Sequence, residues 1–291
     1  MTSSTTYDLK DWESPKSIIK DTGLSPLKSL GQNFLIEKNT LIYICTRASL
    51  SKNDAILEIG PGTGALTYFL QQENLPMLCV EHDKGLAKII KQKFESDTTK
   101  VVHGDILKSK KEIHQEAMEF IELNLSKGRQ IKLISNLPYK ILSPLLWILF
   151  DIKHLWHECT FLVQKEFAEK LCAPITTKSY TPLTIIAELY FNVTNLKTVG
   201  PKQFWPEPTV KSSIIQVDNK NKNDKIDPDF IKFLKQAFSQ RRKSLSKLLK
   251  PFVDESSKIE QSFLKMNIKS NVRSEELTPQ QLLKLFNLIH V

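Results

Sequence analysis

The run Ala55-Ile56-Leu57-Glu58-Ile59 leads without a break into Gly60-Pro61-Gly62-Thr63-Gly64, and the apolar pattern of a helix follows from Ala65 to Gln72. A short apolar run of this kind reads as a buried strand, so the order is strand, glycine loop, helix. Glycines at alternating positions permit positive φ and close backbone approach, which lets such a loop wrap a nucleoside-bearing cofactor. The spacing G-x-G-x-G departs from the dinucleotide fingerprint G-x-G-x-x-G, and that counts against a nicotinamide dinucleotide.

Three further strands are predicted downstream, each ending in a polar group. Met77-Leu78-Cys79-Val80 runs into Glu81-His82-Asp83. An acid at the tip of the second strand, roughly twenty residues beyond the glycines, is placed to accept hydrogen bonds from both hydroxyls of a ribose. A solvated surface acid is the plainer alternative for Glu81. Val101-Val102-His103 leads into Gly104-Asp105-Ile106, where an acid followed by an apolar residue can hold the amino edge and one face of an adenine. The fourth strand, Lys132 to Ser135, ends in Asn136-Leu137-Pro138-Tyr139. In a parallel doubly wound sheet the carboxyl ends of such strands share one crevice.

The tetrapeptide has its own chemistry. The Asn136 side-chain oxygen and the Leu137 carbonyl are two acceptors, which suit one NH2 group. Pro138 fixes its own φ and biases Leu137 toward an extended conformation, so that carbonyl can point outward. Tyr139 can stack on a flat ring. An ordinary strand-to-helix turn would also accommodate these residues; their position at the tip of the fourth strand favours a site that grips an aromatic amine.

At 291 residues, with a 41% hydrophobic fraction, the chain has room for one large domain and a small one. A formal charge of +9 favours an anionic partner, with nucleic acid first among them. Cys45, Cys79, Cys159 and Cys172 are scattered without a paired-cysteine motif, so reduced thiols in a cytoplasmic protein are expected. His154 and His157 have no neighbouring cluster, and no metal is expected. The polar N-terminus and the short apolar run Leu142 to Phe150 predict no membrane anchor.

The sequence resembles the S-adenosylmethionine-dependent ribosomal RNA adenine dimethyltransferases, closest to the housekeeping branch that acts on the small subunit. The resemblance covers nearly the whole chain. It is carried by Leu30-Gly31-Gln32-Asn33-Phe34-Leu35, by Leu57-Glu58-Ile59 with the glycine loop, and by Glu81, Gly104-Asp105 and Asn136 to Tyr139 with Ser143-Pro144. Gln164-Lys165-Glu166, Ala168-Glu169 and Phe204-x-Pro206-x-Pro208-x-Val210-x-Ser212 complete it. The resemblance implies an α/β fold, a Rossmann-like seven-stranded methyltransferase sheet whose last strand is antiparallel, followed by a small helical domain. It implies S-adenosylmethionine as cofactor, with contacts from Gln32, Asn33, Leu35, Gly60, Gly62, Glu81, Asp105 and Asn136; Ile106 joins them as the apolar neighbour of Asp105. Phe204 is implied as the aromatic facing Tyr139 across the target base. The implied reaction is dimethylation of the N6 amino group of two adjacent adenines in the 3′-terminal hairpin of small-subunit ribosomal RNA. The substrate would be a pre-ribosomal particle and the enzyme a monomer. Two departures stand out. The stretch Ala173 to Thr181 lacks the glycines usual there, and Glu207 and Thr209 replace a proline and a lysine.

In chain order, residues 1–24 are expected as a flexible segment with a short helix near Pro15 to Lys20. Residues 25–219 form the methyltransferase domain, and residues 228–291 form the helical domain beyond the polar stretch Asn219 to Asp227. Strands are predicted at Ile185 to Val193 and Ser213 to Val217, and one helix from Asp229 to Leu249. Near its end Arg241, Arg242, Lys243, Lys247 and Lys250 make a basic surface, which is either a solvated face or a contact for RNA phosphates. Three alternatives to the housekeeping enzyme are a large-subunit methyltransferase of the antibiotic-resistance type, a non-catalytic RNA-binding assembly or transcription factor, and, more distantly, a dehydrogenase.

Overall fold

The computed structural model describes residues 6–27, 30–109, 112–221, 224–253 and 256–290. Lys28 and Ser29, beside the Leu30 to Leu35 motif, lie outside the described residues, as do the first five residues of the N-terminal segment and two of the polar stretch after Asn219. In chain order the elements are α1 (Pro15–Thr22), β1 (Phe34–Leu35), α2 (Lys38–Arg47), β2 (Asp54–Ile59), α3 (Thr67–Gln71), β3 (Met77–Glu81) and α4 (Lys84–Phe94). Next come β4 (Thr99–His103), α5 (Gln115–Ser126), β5 (Gln130–Asn136), α6 (Leu142–Asp151), β6 (Glu158–Gln164), α7 (Lys165–Leu171) and α8 (Pro182–Tyr190). The chain continues through β7 (Phe191–Val199), β8 (Phe204–Trp205), β9 (Ser212–Asn219), α9 (Pro228–Ala237), α10 (Leu245–Leu249), α11 (Ser256–Lys265) and α12 (Pro279–His290).

Seven strands form one sheet in the order β4-β3-β2-β5-β6-β9-β7. Strands β2 to β6 pair in parallel, and β9 runs antiparallel to β6. Every residue of β2 and β3 is buried, the near-continuous apolar signature of strands covered on both faces. The chain reverses between β2 and β5 in the strand order, so the crevice at their carboxyl ends is where ligands bind in sheets of this kind.

The chain divides into two compact units. One runs up to Glu166 and includes Thr194–Asn219; the other holds Phe167–Val193 and the stretch from Lys220 onward. In the first unit, Tyr7, Ile18 and Ile19 are buried, and α1 packs against Phe34, Leu86 and Ile89. The segment expected to fray thus contributes to the core, because α1 has apolar residues on one side and a Ser14 cap that accepts from the Ser17 amide at 3.1 Å.

The second unit takes in Phe167–Val193, which the linear reading assigned to the sheet domain. The strand predicted from Ile185 is instead the second half of α8, with β7 beginning at Phe191. Pro182 at the first turn and a Thr181/Thr184 capping box start that helix, and they override the β-branched residues behind them. Tyr180 donates its hydroxyl to the Leu277 carbonyl at 2.9 Å, and the Thr176 amide donates to Glu275 at 2.8 Å. The single helix predicted from Asp229 to Leu249 is two helices, α9 and α10, separated by a turn through Gln240 to Lys243. Among the described residues no helix is long and apolar enough to cross a membrane.

Candidate active site

The glycine loop joins β2 to α3, and Gly60, Gly62 and Gly64 all have positive φ, at 65°, 63° and 81°. Space as well as conformation demands glycine: a Cβ on Gly62 would lie 3.0 Å from the Phe34 ring, and one on Gly64 would lie 2.3 Å from Phe94. The loop comes close to the tetrapeptide too, since a Cβ on Gly60 would sit 3.4 Å from Pro138. Ser135 donates its hydroxyl to the Ile59 carbonyl, holding the tips of β5 and β2 together.

A cavity of 260 Å³ opens at the carboxyl ends of β4, β3, β2 and β5. The predicted cofactor residues Gln32, Asn33, Leu35, Gly60, Gly62, Glu81, Asp105 and Ile106 all line it. So do the four residues Asn136 to Tyr139. Glu81, at the tip of β3, is 5% exposed and accepts from the Gly62 amide at 2.9 Å and the Asp83 amide at 2.8 Å, one per carboxylate oxygen. Burial pushes its carboxyl upward, and those two amides pull it back. Asp83 caps α4 through the Gly85 and Leu86 amides and accepts from Gln32 Nε2 at 3.1 Å. Gln32 also takes the Leu27 amide at 2.8 Å, so it ties the β1 approach to the β3–α4 junction. Asp105 is exposed at its end of the cavity, and Ile106 is buried beside it.

Asn136 is half-buried at the end of β5, with Nδ2 donating to the Asn33 carbonyl at 3.2 Å. A carbonyl can only accept, so the amide must turn its nitrogen to Asn33; Oδ1 then faces away and has no protein donor among the described residues. The Leu137 amide donates to the Leu162 carbonyl at 3.2 Å, which fixes the next peptide. Tyr139 is tethered through its hydroxyl to Ser212 Oγ at 2.9 Å, the last residue of the proline motif, and burial raises its phenol.

Phe204 is not where the family pattern would put it. Its side chain is 3% exposed and packs in the core with Leu35, Leu41 and Val199, off the cavity wall. The cause is the β1–β8 pairing of Leu35 with Phe204, which turns that ring inward; Trp205, its neighbour, stacks on Phe34 at 6.5 Å. Arg241 also differs from expectation, because its guanidinium is occupied by the Thr177 carbonyl at 2.6 Å and the Lys178 carbonyl. Arg242, Lys243 and Lys247 remain exposed in the second unit. Sequence reasoning passed over Phe34, Glu58 and Thr63, which also line the cavity. All of them lie inside motifs already marked, so proximity to the glycines was the available signal.

The family model for ribosomal RNA adenine dimethylase matches residues 25–290. The chain belongs to the ribosomal RNA adenine dimethylase family. Among the relatives of this dimethylase is the ribosomal RNA small subunit methyltransferase A of Natranaerobius thermophilus, 32% identical over 95% of this chain and 97% of its own. In fold the dimethylase resembles the crystal structure of a dimethyladenosine transferase from Plasmodium falciparum, with a TM-score of 0.69 at 24% identity over 89% of this chain and 98% of that one. It also resembles the 23S rRNA methyltransferase ErmE, with a TM-score of 0.62 at 21% identity over 89% of this chain and all of the other.

Proposed function

We propose that this dimethylase uses S-adenosylmethionine to dimethylate the N6 amino groups of two adjacent adenines in the 3′-terminal hairpin of small-subunit ribosomal RNA, within a pre-ribosomal particle. The observation that carries the reading is the fixed amide of Asn136, whose Oδ1 is left as an acceptor at the tip of β5 beside the Leu137 peptide.

The cavity fits a sulfonium nucleoside on three counts. Gly60 and Gly62, both at positive φ, bring bare backbone to the cavity wall. Glu81 offers a carboxylate to a ribose, because each oxygen engages one amide and can accept again. Asp105 and Ile106 pair an acceptor with an apolar face, as an adenine needs. When bound, the cofactor supplies an electrophilic methyl group.

The protein's own contribution is placement and polarisation. Asn136 Oδ1 and the Leu137 carbonyl would each accept one N–H of the target amine, holding its lone pair toward the methyl donor. That arrangement favours a pyramidal, more nucleophilic nitrogen. Tyr139 would support the base by stacking, worth about 1–3 kcal/mol against the few kcal/mol needed to extrude it. Asn136 is no base, so the amine proton leaves to water after transfer. A monomethylated amine retains one N–H, which one of the two acceptors still holds while the other is left without a donor.

Arg242, Lys243 and Lys247 are assigned to phosphate contacts, while Arg241 is assigned to holding the Thr177–Lys178 segment. The enzyme is read as a cytoplasmic monomer. The test is incubation of undermethylated small subunits with labelled S-adenosylmethionine, followed by nucleoside analysis, with separated large subunits alongside. Labelled dimethyladenosine in the small subunit is expected; label in the large subunit alone, or none, would overturn the reading.

A further inference from the structure

Tyr139 opens a single 3-10 turn, Tyr139–Ile141, beyond the end of β5. It lines the cavity, and its hydroxyl reaches Ser212 at the start of β9. In the sheet order β5-β6-β9 the two residues are separated by β6, whose last residue, Gln164, pairs with Ser212. The tyrosine side chain therefore lies across the tip of β6. Ser212 is fully buried, and the 2.9 Å bond to Tyr139 is the one its hydroxyl makes among the described residues. Its backbone is held as firmly, because the adjoining Lys211 carbonyl accepts from the Lys165 amide at 2.9 Å. Burial raises the Tyr139 phenol, so the hydroxyl keeps its proton and the contact is a neutral hydrogen bond.

A tyrosine side chain turns about two bonds. With its Cα set by the turn and its hydroxyl by a buried anchor, the long axis of the ring has one direction. That direction matters here because the second ring expected at the target base, Phe204, is turned into the core. A base resting on Tyr139 takes its height and tilt from that ring, while its amine has to meet Asn136 Oδ1 and the Leu137 carbonyl. A misplacement of about 1 Å is enough to cost about 10²-fold in rate.

We infer that Ser212 is a positioning residue for methyl transfer, which holds the Tyr139 ring by its hydroxyl in the orientation that presents the target base to Asn136. This rests on the reading of Tyr139 as the stacking residue given above. The tyrosine hydroxyl then serves as an anchor and makes no contact with the base.

The test is steady-state methyl transfer to undermethylated small subunits by wild type, Tyr139→Phe, Ser212→Ala and the double variant, with S-adenosylhomocysteine affinity measured by calorimetry. Each single variant should lower kcat by about ten-fold. KM for the particle, governed by phosphate contacts, should move by less than about two-fold. The double variant should be no slower than either single one, since both remove the same bond. All four proteins should bind S-adenosylhomocysteine alike, which a collapsed site would not do. Tyr139→Phe keeps the stacking ring and leaves Ser212 in place, so wild-type kcat in that variant would overturn the inference however Ser212→Ala behaves. A loss in Tyr139→Phe with wild-type kcat in Ser212→Ala would overturn it too, by assigning the hydroxyl to the base itself. So would losses that multiply in the double variant. A wild-type protein that forms no dimethyladenosine would instead overturn the reading of the site, and this inference with it.

Discussion

At the amino-terminal ends of the central strands, Lys132 of β5 is 5% exposed, and its ammonium donates to the Ala48 and Ser49 carbonyls at 2.6 and 2.9 Å. The same ammonium lies 3.7 Å from Asp54 of β2 and 3.8 Å from Glu158 of β6. At the carboxyl-terminal end of the same strand, Asn136 has one half of its amide fixed on the Asn33 carbonyl, and its Oδ1 has no protein donor among the described residues. One end of the sheet closes its polar groups on each other; the other holds them toward a cavity. The first arrangement serves stability and the second keeps capacity for a ligand. Strand β5 spans both within seven residues.

Breaking the closed end should have the largest effect. Lys132→Met would leave Asp54 and Glu158 buried without their cation, a loss of about 3–5 kcal/mol. Urea unfolding of the variant should show that drop, while methyl transfer per folded molecule stays near the wild-type value. A large fall in specific activity with unchanged stability would erase the distinction between the ends.

At the open end the converse is expected. Asn136→Ala should slow methyl transfer by about 10²–10³-fold, the usual cost of deleting one oriented polar group at a reacting centre. The urea midpoint should barely move, and S-adenosylhomocysteine binding should persist.

Glu58 lies on β2 between these extremes, and burial raises its carboxyl to about 8. The folded state therefore holds a proton that the unfolded chain has lost, so the sign is clear. Its contribution is fully present below the unfolded value of about 4.5 and is lost as pH rises toward 8. Wild-type stability should decline over that window by on the order of 5 kcal/mol from this group. Glu58→Gln should flatten the decline, measured by urea unfolding at several pH values. An unchanged slope would mean that Glu58 is ionised at little cost inside the sheet.

The open end was the more legible in the sequence. Glycine spacing, Glu81 and the Asn136 tetrapeptide are local signals, and local signals placed on parallel strands converge by topology alone. The closed end was silent: Lys132 reads as one charged residue in an apolar run, and its partners Asp54 and Glu158 are distant in sequence. The same limit explains Phe204. Its motif marks it as important, but whether the ring faces the cavity or the core is set by pairing with Leu35, a partner 169 positions earlier. Arg241 reads as one more cation in a basic cluster until the Thr177 and Lys178 carbonyls are found around it. The strand predicted from Ile185 differs in kind: the β-branched residues Ile185 and Ile186 suit a strand locally, but the Thr181-Pro182 start signal just before them sets a helix.

The most direct measurement is dimethyladenosine formed on undermethylated small subunits by wild type, Asn136→Ala and Lys132→Met, each normalised to folded protein. Dimethyladenosine should form with wild type and Lys132→Met and be all but absent with Asn136→Ala. Wild-type-like yield from Asn136→Ala would contradict the assignment of the chemistry to the tip of β5.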